Sequence, residues 1–253
     1  MYHAAFCFCL LMLYSFLGWV YESALCSITQ RKWVNRGFLN GPLCPIYGFG
    51  AMLVVGVFGG KGGNLFALFL ASAVLTCTLE YVTSYVMEKL FHARWWDYSN
   101  RKFQLNGRIC LEGFLVFGLL SVIIVKWVHP FFTRWLNGFE PWVILTAGGV
   151  LLLLFFTDLL LTVRHVLLLG GRLREIQAAI DTFRAQSGER KAAFREHWRE
   201  KFESSPFHSP RIQKLLETRK FQDRWLARAF PSLKPVWHEA WEQLKEKLEN
   251  RKG

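Results

Sequence analysis

Several acidic side chains, Glu88 and Asp158 among them, lie inside or beside long apolar runs of this 253-residue chain, and four of these acids are candidates for one site. These four are Glu22, Glu80, Asp97 and Glu112. An ionised carboxylate in hydrocarbon costs at least ~2.5 kcal/mol unless it is paired or wetted, so such groups are expected to face the interior of a helix bundle. Carboxylates that lie close together are suited to proton exchange and to cation binding. These four residues are therefore the first candidates for a functional site.

The composition places these carboxylates in a membrane protein. The chain is 52% hydrophobic and only 20% charged, with a mean hydropathy of +0.19. Residues 1–170 hold 12 Lys or Arg and 7 Asp or Glu, whereas residues 171–253 hold 19 and 12. The apolar runs of the first part leave too little polar surface for a soluble domain. We therefore expect an all-α, polytopic helical membrane domain over residues 1–170, followed by a basic, helical tail over residues 171–253.

Five apolar runs predict about five transmembrane helices. They are residues 4–28, 45–60, 64–90, 109–128 and 142–169. The first, third and fifth exceed the ~20 residues that a span needs, so they should tilt or project beyond the bilayer. The second is short and glycine-rich, which fits either a short span or a re-entrant segment. In the tail, proline and serine separate three predicted helices at about 172–203, 210–230 and 236–251.

The charge of the loops predicts how the chain is oriented. Five spans place eight Lys or Arg residues of loops 29–44 and 89–108 on the side of the basic tail, against three on the other side. Such an excess marks the cytoplasmic side. A re-entrant second segment would instead place the two basic loops on opposite faces. We therefore expect a multi-pass protein of the cell membrane, with its N-terminus outside and its C-terminus in the cytoplasm.

This topology brings the candidate residues to the cytoplasmic half of the bundle. Tyr47 joins the four carboxylates there, and Arg36 and Arg108 would supply positive charge at the same level. Two interpretations remain open. The side chains form buried ion pairs that hold the helices together, or they line one polar cavity, open to the cytoplasm, that binds a substrate or an ion.

The first cytoplasmic linker is rich in residues that form turns. Two glycines and two prolines would let the backbone enter the edge of the bilayer without forming a continuous helix. They are Gly41, Pro42, Pro45 and Gly48. Irregular backbone is tolerated there only where it contacts protein or a wet cavity. Pro45 also suits the first position of the second span.

The second cytoplasmic linker combines aromatic, charged and turn-forming residues. Trp96 and Tyr98 flank Asp97, a combination typical of the membrane–water interface. Asn106-Gly107 is a turn signal. All of these residues could be purely architectural.

Sequence motifs of known catalytic or metal sites are absent. The segment around Gly59-Gly60-Lys61-Gly62 lacks the first glycine and the Ser or Thr of a Walker motif, and the chain has no CxxC pair. We therefore predict no metal and no cofactor, and the sequence favours a non-enzymatic role without deciding the question. The net charge of +12 fits nucleic acid or an anionic membrane surface. The apolar runs favour membrane lipids as the partner and give no support to nucleic acid.

Several of these motifs, taken in order, resemble the CmpB-like family. They are Gly18-Trp19-Val20-Tyr21-Glu22, residues 35–50, Leu79-Glu80-Tyr81, Trp96-Asp97-Tyr98-Ser99 and Asn106-Gly107-Arg108-Ile109-Cys110. The resemblance covers roughly residues 10–130. Members of this family are catalogued as ABC-transporter permeases. Because this chain has no nucleotide-binding motif, the resemblance implies a separate ATP-binding subunit.

We therefore expect a permease-like integral membrane protein with a cytoplasm-facing polar site. Its expected partners are lipids, the ATP-binding subunit and a second copy of the chain. One alternative is an intramembrane enzyme that acts on a lipid or small amphiphile, with Glu80 or Glu22 as acid or base. Another is a membrane scaffold that recruits partners through its basic tail.

Overall fold

Helices make up most of the structure, a computed structural model that describes residues 1–31, 33–60, 63–188 and 234–235. The α-helices within these ranges are α1 (Tyr2–Gln30), α2 (Pro45–Phe58), α3 (Leu65–Phe91), α4 (Leu111–Ile123), α5 (His129–Asn137) and α6 (Pro141–Gly188). A π-helical segment, Ile124–Val128, joins α4 to α5. Four two-residue strands are β1 (Ala93–Arg94), β2 (Gln104–Leu105), β3 (Ile109–Cys110) and β4 (Lys234–Pro235). β1 pairs antiparallel with β4, and β2 pairs antiparallel with β3.

Among the residues that the structure describes, four helical segments are long and apolar enough to cross a membrane. They are Tyr2–Gln30, Leu65–Phe91, Leu111–Asn137 and Pro141–Glu175. The fifth predicted span forms α2, which has only 14 residues. At ~1.5 Å per residue, α2 is about 21 Å long, shorter than the ~30 Å hydrocarbon core. The predicted helical membrane protein is confirmed, with four long spans and one short apolar helix.

The outer surface of the bundle is apolar, as a bilayer requires. Leu153, Leu160 and Leu119 expose 71%, 68% and 57% of their surface. In water such side chains would form a large exposed apolar patch, which soluble monomers rarely carry. Their exposure is explained by contact with lipid.

The ends of the helices follow local sequence signals. The side chain of Asn64 caps α3 by accepting a hydrogen bond of 2.9 Å from the Phe66 N–H. Pro45 begins α2, where its missing N–H has no helical partner to lose. Arg31 and His92 end α1 and α3 in the left-handed conformation, with φ of 51° and 52°. Each of these two ends leads into one of the linkers that carry the candidate site residues.

The fourth span is longer than the sequence predicts. The sequence predicts a span over residues 109–128, but the helical rod continues to Asn137 despite Pro130. Proline removes one backbone donor and crowds the preceding turn. In the π-helical segment the His129 N–H donates to the carbonyl of Ile124, five residues back. This wider turn accommodates Pro130 within a continuous helix.

Close packing of small residues joins α1 to α2. A side chain at Gly18 would overlap Tyr47, and one at Gly48 would overlap Ser15 and lie 2.6 Å from the Leu11 carbonyl oxygen. α1 also packs on α6, while α3 packs on α4. The two glycines therefore set the distance at which α2 lies against α1.

α6 continues without a break through Gly170 and Gly171, where the sequence predicts the change from membrane domain to tail. The described part of the predicted helix at 172–203 ends with α6 at Gly188. The predicted tail helices at 210–230 and 236–251 lie outside the described residues.

Candidate functional site

The predicted site residues lie at one end of the bundle, where α1 and α3 end and α2 and α4 begin. Two linkers, residues 31–44 and 92–110, cover this end and contribute side chains to it. In the structure, four side chains form two tyrosine–carboxylate contacts, and several ion pairs lie near these contacts.

Glu22 links α1 to α2 and to the first linker. The Tyr47 hydroxyl donates a hydrogen bond of 2.5 Å to Glu22 Oε1. Arg36 Nε lies 3.7 Å from Glu22 Oε2, and both side chains are partly exposed, at 21% for Arg36 and 25% for Glu22. Glu22 therefore has a hydrogen-bond donor on one oxygen and an ion-pair partner near the other, and it remains accessible to solvent.

Glu80 is the more buried carboxylate, with 6% of its surface exposed. The Tyr98 hydroxyl donates to Glu80 Oε1 at 3.3 Å. Glu80 Oε2 is buried and has no hydrogen-bond partner among the described residues. Buried polar atoms are nearly always paired, so an unpartnered carboxylate oxygen calls for a proton, a water or a ligand.

Tyr98 lies close enough to both Glu80 and Glu22 for their charges to affect its hydroxyl. Burial raises the pKa of its hydroxyl, and the nearby charges of Glu80 and then of Glu22 raise that pKa further. The hydroxyl therefore stays protonated and acts as a hydrogen-bond donor. The sequence assigned Tyr98 an architectural role only. Its contact with Glu80 identifies it as a side chain of the site, and no spacing rule links residues 18 positions apart.

Arg108 pairs with Glu88. Arg108 Nη2 lies 2.8 Å from Glu88 Oε2, and Nη1 donates to Ser84 Oγ at 3.1 Å. The guanidinium lies 5.7 Å and 5.5 Å from the ring centroids of Tyr81 and Tyr85. Only 7% of Arg108 is exposed. These contacts hold the second linker against α3, the role expected of a partly buried ion pair between two elements.

The other two predicted carboxylates make local contacts. Asp97 Oδ1 accepts hydrogen bonds from the Ser99 N–H at 3.0 Å and from the Ser99 hydroxyl at 2.5 Å. Glu112 forms a 3.0 Å ion pair with Arg101, in which both side chains are more than half exposed. These contacts of Asp97 and Glu112 are with residues of the second linker.

A tight turn positions Tyr98 over α3. Asn106 and Gly107 both adopt the left-handed conformation, with φ of 52° and 67°, as their sequence predicts for a turn. The Tyr98 N–H donates to the Gly107 carbonyl at 2.8 Å, and Trp96 Nε1 donates to the Arg108 carbonyl at 3.1 Å. The turn and the segment before it thus form one unit.

The first linker is clamped by Asp158 on α6, a contact that sequence reasoning missed. Asp158 Oδ1 accepts from the Asn40 side-chain amide at 3.0 Å, and Asp158 Oδ2 accepts from the Gly41 N–H at 2.9 Å. Asn40 also donates to Thr162 Oγ1 at 2.7 Å. An aspartate inside an apolar run was the only available signal, because these partners lie more than 100 positions away in the chain.

Among the described residues, no three His, Cys, Asp or Glu side chains lie close enough together to hold a metal ion. The polar side chains described above at this end include carboxylates, tyrosine hydroxyls and arginines.

A comparison with known protein families shows which family the chain belongs to. Residues 9–163 match the family described as "Putative ABC-transporter type IV". The chain belongs to this family. The matched region runs from α1 into α6, so it includes both carboxylates, both linkers and Asp158. The comparisons with curated proteins and with solved structures found no match.

Proposed function

We propose that this chain is the membrane-embedded, permease-like component of a transporter, and that its cytoplasm-facing polar site consists of Glu22, Tyr47, Glu80 and Tyr98. This set is called the carboxylate site below. Family membership supports the transporter role, and the apolar helices support its location in a membrane. The excess of Lys and Arg in linkers 31–44 and 92–110 supports a cytoplasmic position for this end.

The surroundings of Glu80 are the observation that carries the proposal. Asp158, a carboxylate with an architectural role, has N–H donors on both of its oxygens. Glu80 is more buried, yet its Oε2 has no hydrogen-bond partner among the described residues. A carboxylate that served only to hold helices together would be expected to have both oxygens paired.

The carboxylate site has an outer and an inner member. Glu22 is partly exposed, at 25% of its side chain, whereas only 6% of Glu80 is exposed. Each accepts a hydrogen bond from a tyrosine hydroxyl. A proton or a cation entering from the linkers would meet Glu22 first and Glu80 second. Two carboxylates in a poorly solvated region favour such positive species and disfavour anions.

Purification of the full chain in mild detergent, from membranes of the cell that makes it, tests this function. We expect an ATP-binding subunit to co-purify with the wild-type chain and with Glu80→Gln, because the substitution leaves the surface unchanged. ATP hydrolysis by the complex should fall at least tenfold in Glu80→Gln. Arg101→Gln, which removes an exposed charge at the same end, should retain activity within about twofold.

Two results would contradict the proposed function. One is the absence of any ATP-binding subunit together with the absence of ATP hydrolysis. The other is a change in the lipid composition of vesicles caused by the purified chain alone, which would favour an intramembrane enzyme instead.

A further inference from the structure

A second polar feature lies at the opposite end of the bundle, where the π-helical segment continues into α5. It is an open groove of about 550 Å³ lined by Lys126, Trp127, Pro130, Phe131, Arg134 and Trp135. At ~1.5 Å per residue, Lys126 is about 22 Å along the rod from Leu111, where α4 leaves the carboxylate site. This feature, called the far-end groove below, is therefore separate from the carboxylate site.

The lining residues form two columns along a single helix face. One column consists of Lys126, Pro130 and Arg134, which are spaced four residues apart. The other consists of Trp127, Phe131 and Trp135, with the same spacing. Side chains four residues apart lie above one another on a helix. A column with two cations therefore runs beside a column of three aromatic rings, and the small proline ring separates the cations.

The aromatic column points away from the protein core. Trp127, Phe131 and Trp135 expose 63%, 63% and 49% of their surface. On the opposite face of α5, Leu136 is buried and His129 contacts the Tyr14 hydroxyl at 2.8 Å. The far-end groove is consequently open to the bilayer, at the level of an aromatic belt.

The two cations lack protein counter-ions. Neither Lys126 nor Arg134 forms an ion pair with any residue that the structure describes, and the nearest acidic residue in sequence, Glu140, is likewise in none of the ion pairs found there. At the other end Arg36, Arg94, Arg101 and Arg108 are all paired. An anion supplied from outside the chain would complete the far-end groove.

We propose that the far-end groove binds the headgroup of an anionic phospholipid, with Lys126 and Arg134 on the phosphate and the aromatic column on the glycerol and upper acyl region. The charge of the groove selects an anion. Its aromatic rings and its opening to the bilayer select a lipid over a free anion. This inference does not depend on the transport function.

Lipid binding to the purified, delipidated full chain tests the proposal. Retention of phosphatidylglycerol and of zwitterionic phosphatidylcholine would be compared by native mass spectrometry. We expect the wild type to bind phosphatidylglycerol at least tenfold more tightly than phosphatidylcholine. The double variant Lys126→Gln/Arg134→Gln should bind it about thirtyfold more weakly, which corresponds to ~1 kcal/mol for each charge.

A matched double variant controls for general electrostatics. Lys102→Gln/Arg174→Gln removes the same charge from exposed positions elsewhere and should change phosphatidylglycerol binding less than threefold. Equal losses in the two double variants, or no preference for phosphatidylglycerol in the wild type, would overturn the proposal. Displacement of the lipid by an equal concentration of inorganic phosphate would also overturn it, because the groove would then select phosphate without the lipid.

Discussion

The reactivity of the Cys44 thiol depends on the contact between the first linker and the helices around it. Its N–H donates to the Ser15 carbonyl at 2.9 Å, and its Sγ donates to the Arg36 carbonyl at 3.3 Å. Burial raises the pKa of the thiol to about 12, with a smaller contribution from the charge of Glu22. Since only the thiolate reacts, the Cys44 thiol should react very slowly at pH 8 while the linker stays in place.

Release of the linker should therefore expose Cys44 to alkylation. Asp158→Asn keeps the size of the side chain but removes the charged acceptor of the Asn40 and Gly41 donors. We expect alkylation of Cys44 at pH 8, measured on its peptide by mass spectrometry, to become at least tenfold faster. Glu140→Gln, at an exposed acid elsewhere, should have no effect. Rapid alkylation of Cys44 in the wild type would contradict this account of the linker.

Among the contacts between helices, the one between α1 and α2 positions a side chain of the carboxylate site. α2 has only 14 residues, fewer than the ~20 of a full-length span, so its position depends on its neighbours. Gly48 lies against Ser15 and the Leu11 carbonyl, and Tyr47 on the same turn donates to Glu22. A shift of α2 would thus move the hydroxyl that binds Glu22.

Gly48→Ala is expected to destabilise the protein by about 1–3 kcal/mol, the usual cost of overpacking a tight contact. The added methyl group would lie 2.6 Å from the Leu11 carbonyl oxygen, so the two helices must separate. Gly56→Ala, on the same helix, adds a methyl group that meets nothing within 4 Å and should be neutral or slightly stabilising. Thermal unfolding in detergent measures both. Similar losses in the two variants would show that the helix contact is not the cause.

The sequence predicts the long helices better than the contacts between them. Hydropathy predicts α1 and α3 within two residues at each end, because a span must be apolar along its length. It ends the fourth span too early, since nothing in the pattern shows that a π-helical turn absorbs Pro130. Periodicity along one helix also carries no information on which other helix is adjacent.

The same limit applies to the carboxylate site. Topology predicts that Glu22 and Tyr47 lie at the same level, and the structure has them in hydrogen-bond contact. The pairing of Glu80 with Tyr98 depends on the turn at Asn106-Gly107, which folds the second linker back over α3. Such a long-range contact is decided by packing and has no local sequence signal.

Orientation is a property of the whole molecule. The loops and linkers at the carboxylate end hold eight of the eleven Lys and Arg residues counted outside the tail for orientation, so this end should face the cytoplasm. Reporter domains fused at Asn100 and after Gly253 should read as cytoplasmic, and one fused at Gly138 as external. An external reading at Gly253, or a cytoplasmic reading at Gly138, would contradict five membrane crossings.

The stability of Glu80→Gln is the most direct test of whether Glu80 is held in place for function. Glutamine keeps the size of the side chain and accepts the Tyr98 hydrogen bond, but it cannot exchange protons or carry charge. Arg108→Gln provides a structural control, because it removes the buried partner of Glu88. Glu22→Gln tests the outer member of the carboxylate site in the same way.

Thermal unfolding of these variants, purified side by side in detergent, is the deciding measurement. Glu80→Gln should remain within about 1 kcal/mol of the wild type, the range of an ordinary substitution that breaks no essential contact. Arg108→Gln should lose about 1.5–3 kcal/mol, because it removes charged hydrogen bonds to Glu88 and Ser84, while Glu88 keeps its 3.4 Å ion pair with Arg94. A loss in Glu80→Gln and Glu22→Gln as large as that in Arg108→Gln would show that the carboxylates hold the bundle together, and would contradict their role as a functional site.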